Sequence, residues 1–220
     1  LFNTNKFTFS VGIKEDIENT KKWILVFGRR KTGKTFLLRN SIRHDEYFFV
    51  KKNRTIIAGN AQISYEAFEQ LLKRDIHSNK TIIIDEFHRL GEDFFEMLHS
   101  MKKTGMLILV SSTLNLSKKI MSEHSPLLGL FAEMPVDIID LEDVLKCLRK
   151  GHESKKDLLE KSILLREPIA IDYYAENESS RSLAAKILMK SLMTIPALVG
   201  EIFSEEGREM SSVYEGILRA

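Results

Sequence analysis

Trp23-Ile-Leu-Val-Phe27 runs straight into Gly28-Arg29-Arg30-Lys31-Thr32-Gly33-Lys34-Thr35, and Phe36-Leu-Leu-Arg39 continues with helical spacing. An apolar run of strand length, a loop bounded by glycines and a helix start are the parts of the phosphate-binding loop G-x-x-x-x-G-K-[ST], in the order that motif requires. In such a loop, successive backbone N–H groups and the positive helix end turn toward a triphosphate. Lys34 then reads as the point charge for the β- and γ-phosphates, and Thr35 as a hydroxyl ligand for Mg²⁺. The expected nucleotide-binding segment is Gly28 through Phe36. The basic trio Arg29, Arg30 and Lys31 reads equally as a phosphate contact or as a solvated loop tip.

Outward from this loop, apolar runs of strand length alternate with helical periodicity, the pattern of a parallel sheet covered on both faces. Trp23–Phe27, Tyr47–Val50, Thr81–Ile84 and Met106–Val110 are the expected buried strands, with a fifth over Val136–Leu141. Helices are expected over Thr35–Arg43, Tyr65–Arg74 and Phe94–Lys103. Beyond Leu141 the pattern turns helical over Asp143–Lys150, Lys155–Arg166, Ser180–Leu192 and Ala197–Phe203, with breaks at Gly151 and at Ala175–Ser179. The domain boundary is therefore placed near Leu141. Apolar stripes such as Leu183, Ile187 and Leu188 read as core.

A loop that binds a nucleotide to hydrolyse it needs an acidic element at a neighbouring strand end, and Ile82-Ile-Ile-Asp85-Glu86 supplies one. Asp85 reads as holding Mg²⁺ through its water shell, and Glu86 as the general base that polarises the attacking water. The strand Met106–Val110 ends in Ser111, Ser112 and Thr113. Such a strand is expected between the two just described, which makes one of these hydroxyls, Ser112 by preference, a candidate for positioning water or sensing the γ-phosphate. Hydroxyls at a strand end are also ordinary turn formers. His88 gives Asp85-Glu-Phe-His88 the look of a DExH box, yet a histidine opening a loop reads first as a solvated turn residue.

Composition bounds the rest. With 220 residues, 43% hydrophobic and 29% charged, the chain is globular, not disordered or low in complexity. No apolar run approaches the ~18–20 residues of a membrane helix and no leader pattern opens the chain, so a soluble, cytoplasmic protein without membrane contact is expected. The single cysteine, Cys147, has no partner for a disulfide or zinc site and reads as a core thiol. A net charge of +2 is not that of a dedicated nucleic-acid binder. Residues 1–60 nevertheless carry 13 basic and 5 acidic groups, much of that charge around the phosphate-binding loop.

Together, WILVFGRRKTGKTFLL, IIIDEFHRL, LILVSST and SPLLGLFAEMPVDIIDLEDVL resemble the archaeal P-loop ATPases related to the STAND and AAA+ classes. The resemblance spans most of the chain. It implies an α/β, three-layer P-loop NTPase core of ASCE/AAA+ type with a five-stranded parallel sheet over residues 1–141. A small helical lid over 142–193 and the start of a winged helix over 194–220 would follow. Val11-Gly12 followed by Glu15 is similar to a short box before the P-loop that lies near the adenine base, with Ile13 where the family carries arginine. After Ser125-Pro126-Leu127-Leu128-Gly129 the family usually carries an arginine that acts on a neighbour's γ-phosphate; here Leu130 stands instead. Arg166 and Arg181, in the lid, read as exposed helix arginines.

The implied cofactors are ATP or ADP with Mg²⁺, and the implied function is a slow, partner-stimulated ATPase that works as a nucleotide-driven conformational switch. Two other functions stay open: a nucleotide-gated binding module with negligible turnover, and a DNA-associated, helicase-like motor, against which the absence of a second set of parallel strands argues. A downstream winged helix would supply a DNA or protein partner, and homo-oligomerisation is left open.

Overall fold

The computed structural model describes residues 17, 19–102, 104–113, 127–149, 154–191 and 200. Its contacts divide the chain into two units. Among the described residues, one holds the chain up to Arg29 together with Lys34–Val136, and the other holds Arg30–Gly33 and the chain from Asp137 onward.

The first unit is built on a seven-stranded sheet: β1 (Trp23–Phe27), β2 (Glu46–Val50), β3 (Ile56–Ala58), β4 (Ala61–Ile63), β5 (Thr81–Asp85), β6 (Met106–Ser111) and β7 (Phe131–Pro135), in the spatial order β4-β3-β2-β5-β6-β1-β7. The five strands from β2 to β7 in that order are parallel, and β3 and β4 add an antiparallel hairpin at one edge. Because β1, β5 and β6 are buried on both faces, their sequences are continuous apolar runs and not alternations. Trp23 and Leu25 join Ile82, Ile84, Leu107 and Leu109 on one face, where Phe68, Leu72 and Ile76 of α2 (Tyr65–His77) and Phe94, Met97 and Leu98 of α3 (Glu92–Ser100) cover them. Ile24 and Val26 join Ile83, Ile108 and Val110 on the other, under Leu38 of α1 (Lys34–Ser41). Three layers result, as expected.

The expected fifth strand over Val136–Leu141 is corrected. The strand is Phe131–Pro135, paired with β1 from Trp23↔Phe131 to Phe27↔Pro135, and Leu141 opens a helix. As the edge strand, β7 buries Phe131 and Met134 but exposes Glu133, so it looks less strand-like than the Val-Asp-Ile-Ile segment after it. That segment ends because Asp140 caps the next helix, its side chain accepting from the Glu142 N–H at 2.7 Å.

Asp75, 1% exposed near the end of α2, accepts from the Arg74 Nε at 2.8 Å and the Lys80 Nζ at 2.9 Å, which ties α2 to the start of β5. The hydrogen bond from Arg74 leads, with Lys80, in holding its carboxyl below the usual carboxylate range against the opposing effect of burial. A depressed folded value contributes stability that is full above the unfolded value and is lost as pH falls through the folded one. Asp75→Asn is therefore expected to cost about 2 kcal/mol at neutral pH. Denaturant unfolding of both proteins should show the gap closing on acidification, because only the wild type loses the pair.

The second unit is helical from residue 141: α4 (Leu141–Leu148), α5 (Lys155–Leu164), α6 (Pro168–Ile171) and α7 (Ser180–Lys190). Ser154 and Ser179 cap α5 and α7 through their hydroxyls. Ile139, Val144, Leu148, Leu165, Ala170 and Leu183 form its core, with Ile187 against it. Leu188, expected in that core, is 62% exposed, and Cys147 is half-buried. Both departures follow from short helices that bury one narrow stripe each. The helix expected over Ala197–Phe203, and the winged-helix start over 194–220, lie outside the described residues, as does Gly151. Among the described residues no helix is long and apolar enough to cross a membrane.

Candidate functional site

The loop after β1 is shaped by backbone constraints that its sequence meets. Gly28 has φ +153°, and a Cβ there would lie 1.9 Å from the Val136 carbonyl oxygen, so the position admits only glycine. Gly33 has φ +84° with open space around a built Cβ, so its requirement is conformational. Lys31 also adopts positive φ, at 63°. Thr32 is buried, Lys31 is exposed, and Arg29 and Arg30 are half-buried. Phe36, in the first turn of α1, is 41% exposed.

Lys34 is 6% exposed, and its Nζ donates to the Gly28 carbonyl at 2.7 Å and to the Arg29 carbonyl. The ammonium thus lies against the loop's own carbonyl oxygens. Thr35, one residue on, donates its hydroxyl to Asp85 Oδ2 at 2.7 Å. The two side chains expected to share Mg²⁺, from α1 and from the end of β5, are therefore in direct contact. They meet because β6 pairs with both β1 and β5, the expected intervening strand. One hydroxyl and one ionisable carboxyl are hard oxygen donors of the kind that bind Mg²⁺ together with substrate phosphates.

Glu86 follows with φ 58° and ψ 35°, a left-handed conformation uncommon for a residue with a side chain. Three groups meet its Oε2: Arg89 Nη2 at 2.9 Å, His88 Nε2 at 3.3 Å and Ser112 Oγ, which donates at 3.2 Å. Ser112, expected to position water or sense the γ-phosphate, thus touches the candidate base. Arg89 also donates to the Val50 carbonyl at 2.6 Å and lies over the Phe49 ring at 5.7 Å, so β2 holds it in place.

His88, expected as a solvated turn residue, is corrected. Its side chain is 13% exposed, between Glu86 and the Ser111 Oγ at 3.3 Å from Nδ1. A 3-10 turn over Phe87–Arg89 buries Phe87 in the core and swings both neighbours back toward the strand ends. Arg166 is corrected as well: it lies two residues beyond the end of α5, half-buried, and its Nε donates to the Ile139 carbonyl at 2.9 Å. Arg181 is exposed on α7, as expected. Leu130 is half-buried against the core, its N–H donating to the Leu127 carbonyl at 3.0 Å. Val11, Gly12, Ile13, Glu15, Ser125 and Pro126 lie outside the described residues.

Two site residues escape the sequence reading. Tyr47 on β2 donates its hydroxyl to the same Asp85 Oδ2 at 2.5 Å, and Arg39 of α1 lies over its ring at 4.1 Å. Burial, then the Asp85 charge and the hydrogen bond to it, push the Tyr47 hydroxyl above its ordinary range, so it remains a donor throughout neutral pH. Arg89 is the second. Tyrosine in an apolar strand and arginine in a turn carry no motif; the β2–β5 pairing of Phe49 with Asp85 brings the first to the site, and the 3-10 turn over Phe87–Arg89 brings the second.

No curated protein matches the chain. Among solved structures, a Signal Transduction ATPase with Numerous Domains (STAND) protein with a tetratricopeptide repeat sensor, from Pyrococcus horikoshii, has a TM-score of 0.53 at 15% identity, over 83% of this chain and 33% of that one. At that identity the likeness is one of fold, and this chain spans only a third of that protein's length. The family profile of the AAA domain (AAA_14) matches residues 20–136, more than half of the chain and all seven strands. With a phosphate-binding loop after β1 and an acidic pair at the end of β5 inside the matched span, the chain belongs to the AAA domain family of P-loop ATPases.

Proposed function

We propose that this chain binds ATP with Mg²⁺ at the loop Gly28–Phe36, hydrolyses it slowly, and serves as a nucleotide-driven conformational switch. The observation that carries the reading is the 2.7 Å hydrogen bond between Thr35 and Asp85, the pair that a magnesium-bound triphosphate requires. Thr35 and Asp85 would hold Mg²⁺, which when bound would neutralise the charge that develops on the phosphates. Thr35 can keep donating to Asp85 while a lone pair of its oxygen faces the metal, so the pair needs no rearrangement. Lys34 would exchange the carbonyl oxygens of Gly28 and Arg29 for phosphate oxygens. Glu86 orients the attacking water and takes its proton, and Ser112 steadies Glu86. The chain up to Leu141 is proposed as the ATPase core, 142–193 as the lid and 194–220 as the start of a winged helix, through which a DNA or protein partner would act.

A second reading, a binding module with negligible turnover, is favoured by one observation: Arg89, His88 and Ser112 all lie within 3.3 Å of the same Glu86 oxygen. Glu86 has to exchange some of these contacts for a water before it can act as a base. The missing arginine at Leu130 points the same way, since such a finger is worth ~10³–10⁵ in rate. ATP turnover at two protein concentrations tenfold apart, with and without double-stranded DNA, separates the two. Turnover per molecule that rises with concentration or with DNA supports the switch ATPase; bound ATP that is never converted to ADP supports the module.

A further inference from the structure

We infer that Tyr47 is a positioning residue of the magnesium site, holding through its hydroxyl the Asp85 carboxylate that receives the metal's water. The inference rests on the proposed binding of Mg²⁺ with ATP and adds to it a residue outside both nucleotide motifs. Both hydroxyl donors to Asp85, Thr35 at 2.7 Å and Tyr47 at 2.5 Å, fall on Oδ2. Among the described residues no donor reaches Oδ1, so the carboxylate is pinned by one oxygen and presents the other as an acceptor. Two donors from different elements, α1 and β2, fix the plane of the carboxylate as one alone would not.

The donor is itself held. Tyr47 lies on β2, two residues before the partner of Asp85 in the parallel ladder, which puts it diagonally across on the same face. Arg39 stacks on its ring at 4.1 Å, and Arg39 stands one helical turn after Thr35 on the same side of α1. Thr35, Asp85, Tyr47 and Arg39 therefore form a closed ring of contacts in which α1 touches Asp85 twice, once directly and once through the tyrosine. A shift of α1 that broke the direct contact would leave Tyr47 holding the carboxylate. Mg²⁺ demands near-ideal octahedral geometry, so a metal that binds Asp85 through water is sensitive to the carboxylate's orientation.

The test is Tyr47→Phe, which keeps the ring and the Arg39 stack and removes one O–H. Mn²⁺ affinity is read by electron paramagnetic resonance on ADP-saturated protein, and ADP affinity is read separately in EDTA. Metal affinity is expected to fall about tenfold, as for other groups that orient a metal ligand, while ADP affinity in EDTA stays unchanged. Arg39→Ala, which leaves the hydroxyl but frees the ring, is expected to lose metal affinity to a smaller extent. Unchanged Mn²⁺ affinity in Tyr47→Phe overturns the inference, and so does an equal loss in both readouts, which would mark a merely structural tyrosine. Failure of the underlying reading looks different: a wild type that binds ADP equally well with and without metal.

Discussion

Glu86→Gln is expected to lower ATP turnover about 100- to 1,000-fold while leaving ATP bound, because it removes the carboxylate proposed to take a proton from water and keeps the side chain's shape. The amide oxygen can still accept from Arg89 and Ser112, which meet Oε2 at 2.9 and 3.2 Å in the wild type, so the strand ends keep their arrangement. Loss of rate without loss of affinity is the signature of an interaction made only in the transition state. Single-turnover hydrolysis and equilibrium ATP binding on the same preparations read the two quantities. Equal turnover in the two proteins would remove Glu86 from the chemistry and leave the binding-module reading.

Gly28→Ala should have the largest effect on folding. Its Cβ would stand 1.9 Å from a carbonyl oxygen of the main chain, and Val136 cannot retreat freely, because its own N–H donates to the Phe27 carbonyl at 2.7 Å. The positive φ adds strain. A cost of about 3 kcal/mol or more is expected from overpacking and strain together. For a chain of this size that corresponds to a melting temperature lower by roughly 10 °C, and nucleotide affinity should fall with it, since the loop would have to move. Gly33→Ala, with open space around its Cβ, should cost less. A Gly28→Ala protein as stable as the wild type would show that the loop can adopt another path.

How much of this was legible in the sequence depended on burial. β1, β5 and β6 were visible because a strand covered on both faces is apolar at every position, and the two glycines announced the loop between β1 and α1. β7 was misplaced because this edge strand buries only Phe131 and Met134 and exposes Glu133 and Pro135, and the more apolar segment beyond it belongs to the approach to a capped helix. The β3–β4 hairpin was missed because each strand is three residues long, too short for a periodic signal, although the Gly59-Asn60 pair at its turn is a hairpin dipeptide and Gly59 has φ +55°.

At the candidate site, Lys34, Thr35, Asp85 and Glu86 stood out in the sequence because the proposed chemistry demands those residue types at that spacing. Tyr47 and Arg89 did not, and His88 was read as a solvated turn residue, because their contacts come from tertiary placement: β2 lies beside β5, and the 3-10 turn after β5 folds back over the strand ends. The contact between Ser112 and Glu86 depends likewise on β6 lying next to β5.

The most direct test of the central claim is calorimetric titration of ATP into the wild type and into Lys34→Ala, each with Mg²⁺ and with EDTA. One site per chain is expected, weakened by removal of Mg²⁺ and lost in Lys34→Ala, which lacks the ammonium that donates to the loop carbonyls of Gly28 and Arg29. ATP bound as tightly by Lys34→Ala as by the wild type, or not bound by either, would contradict the assignment of this loop as the nucleotide site.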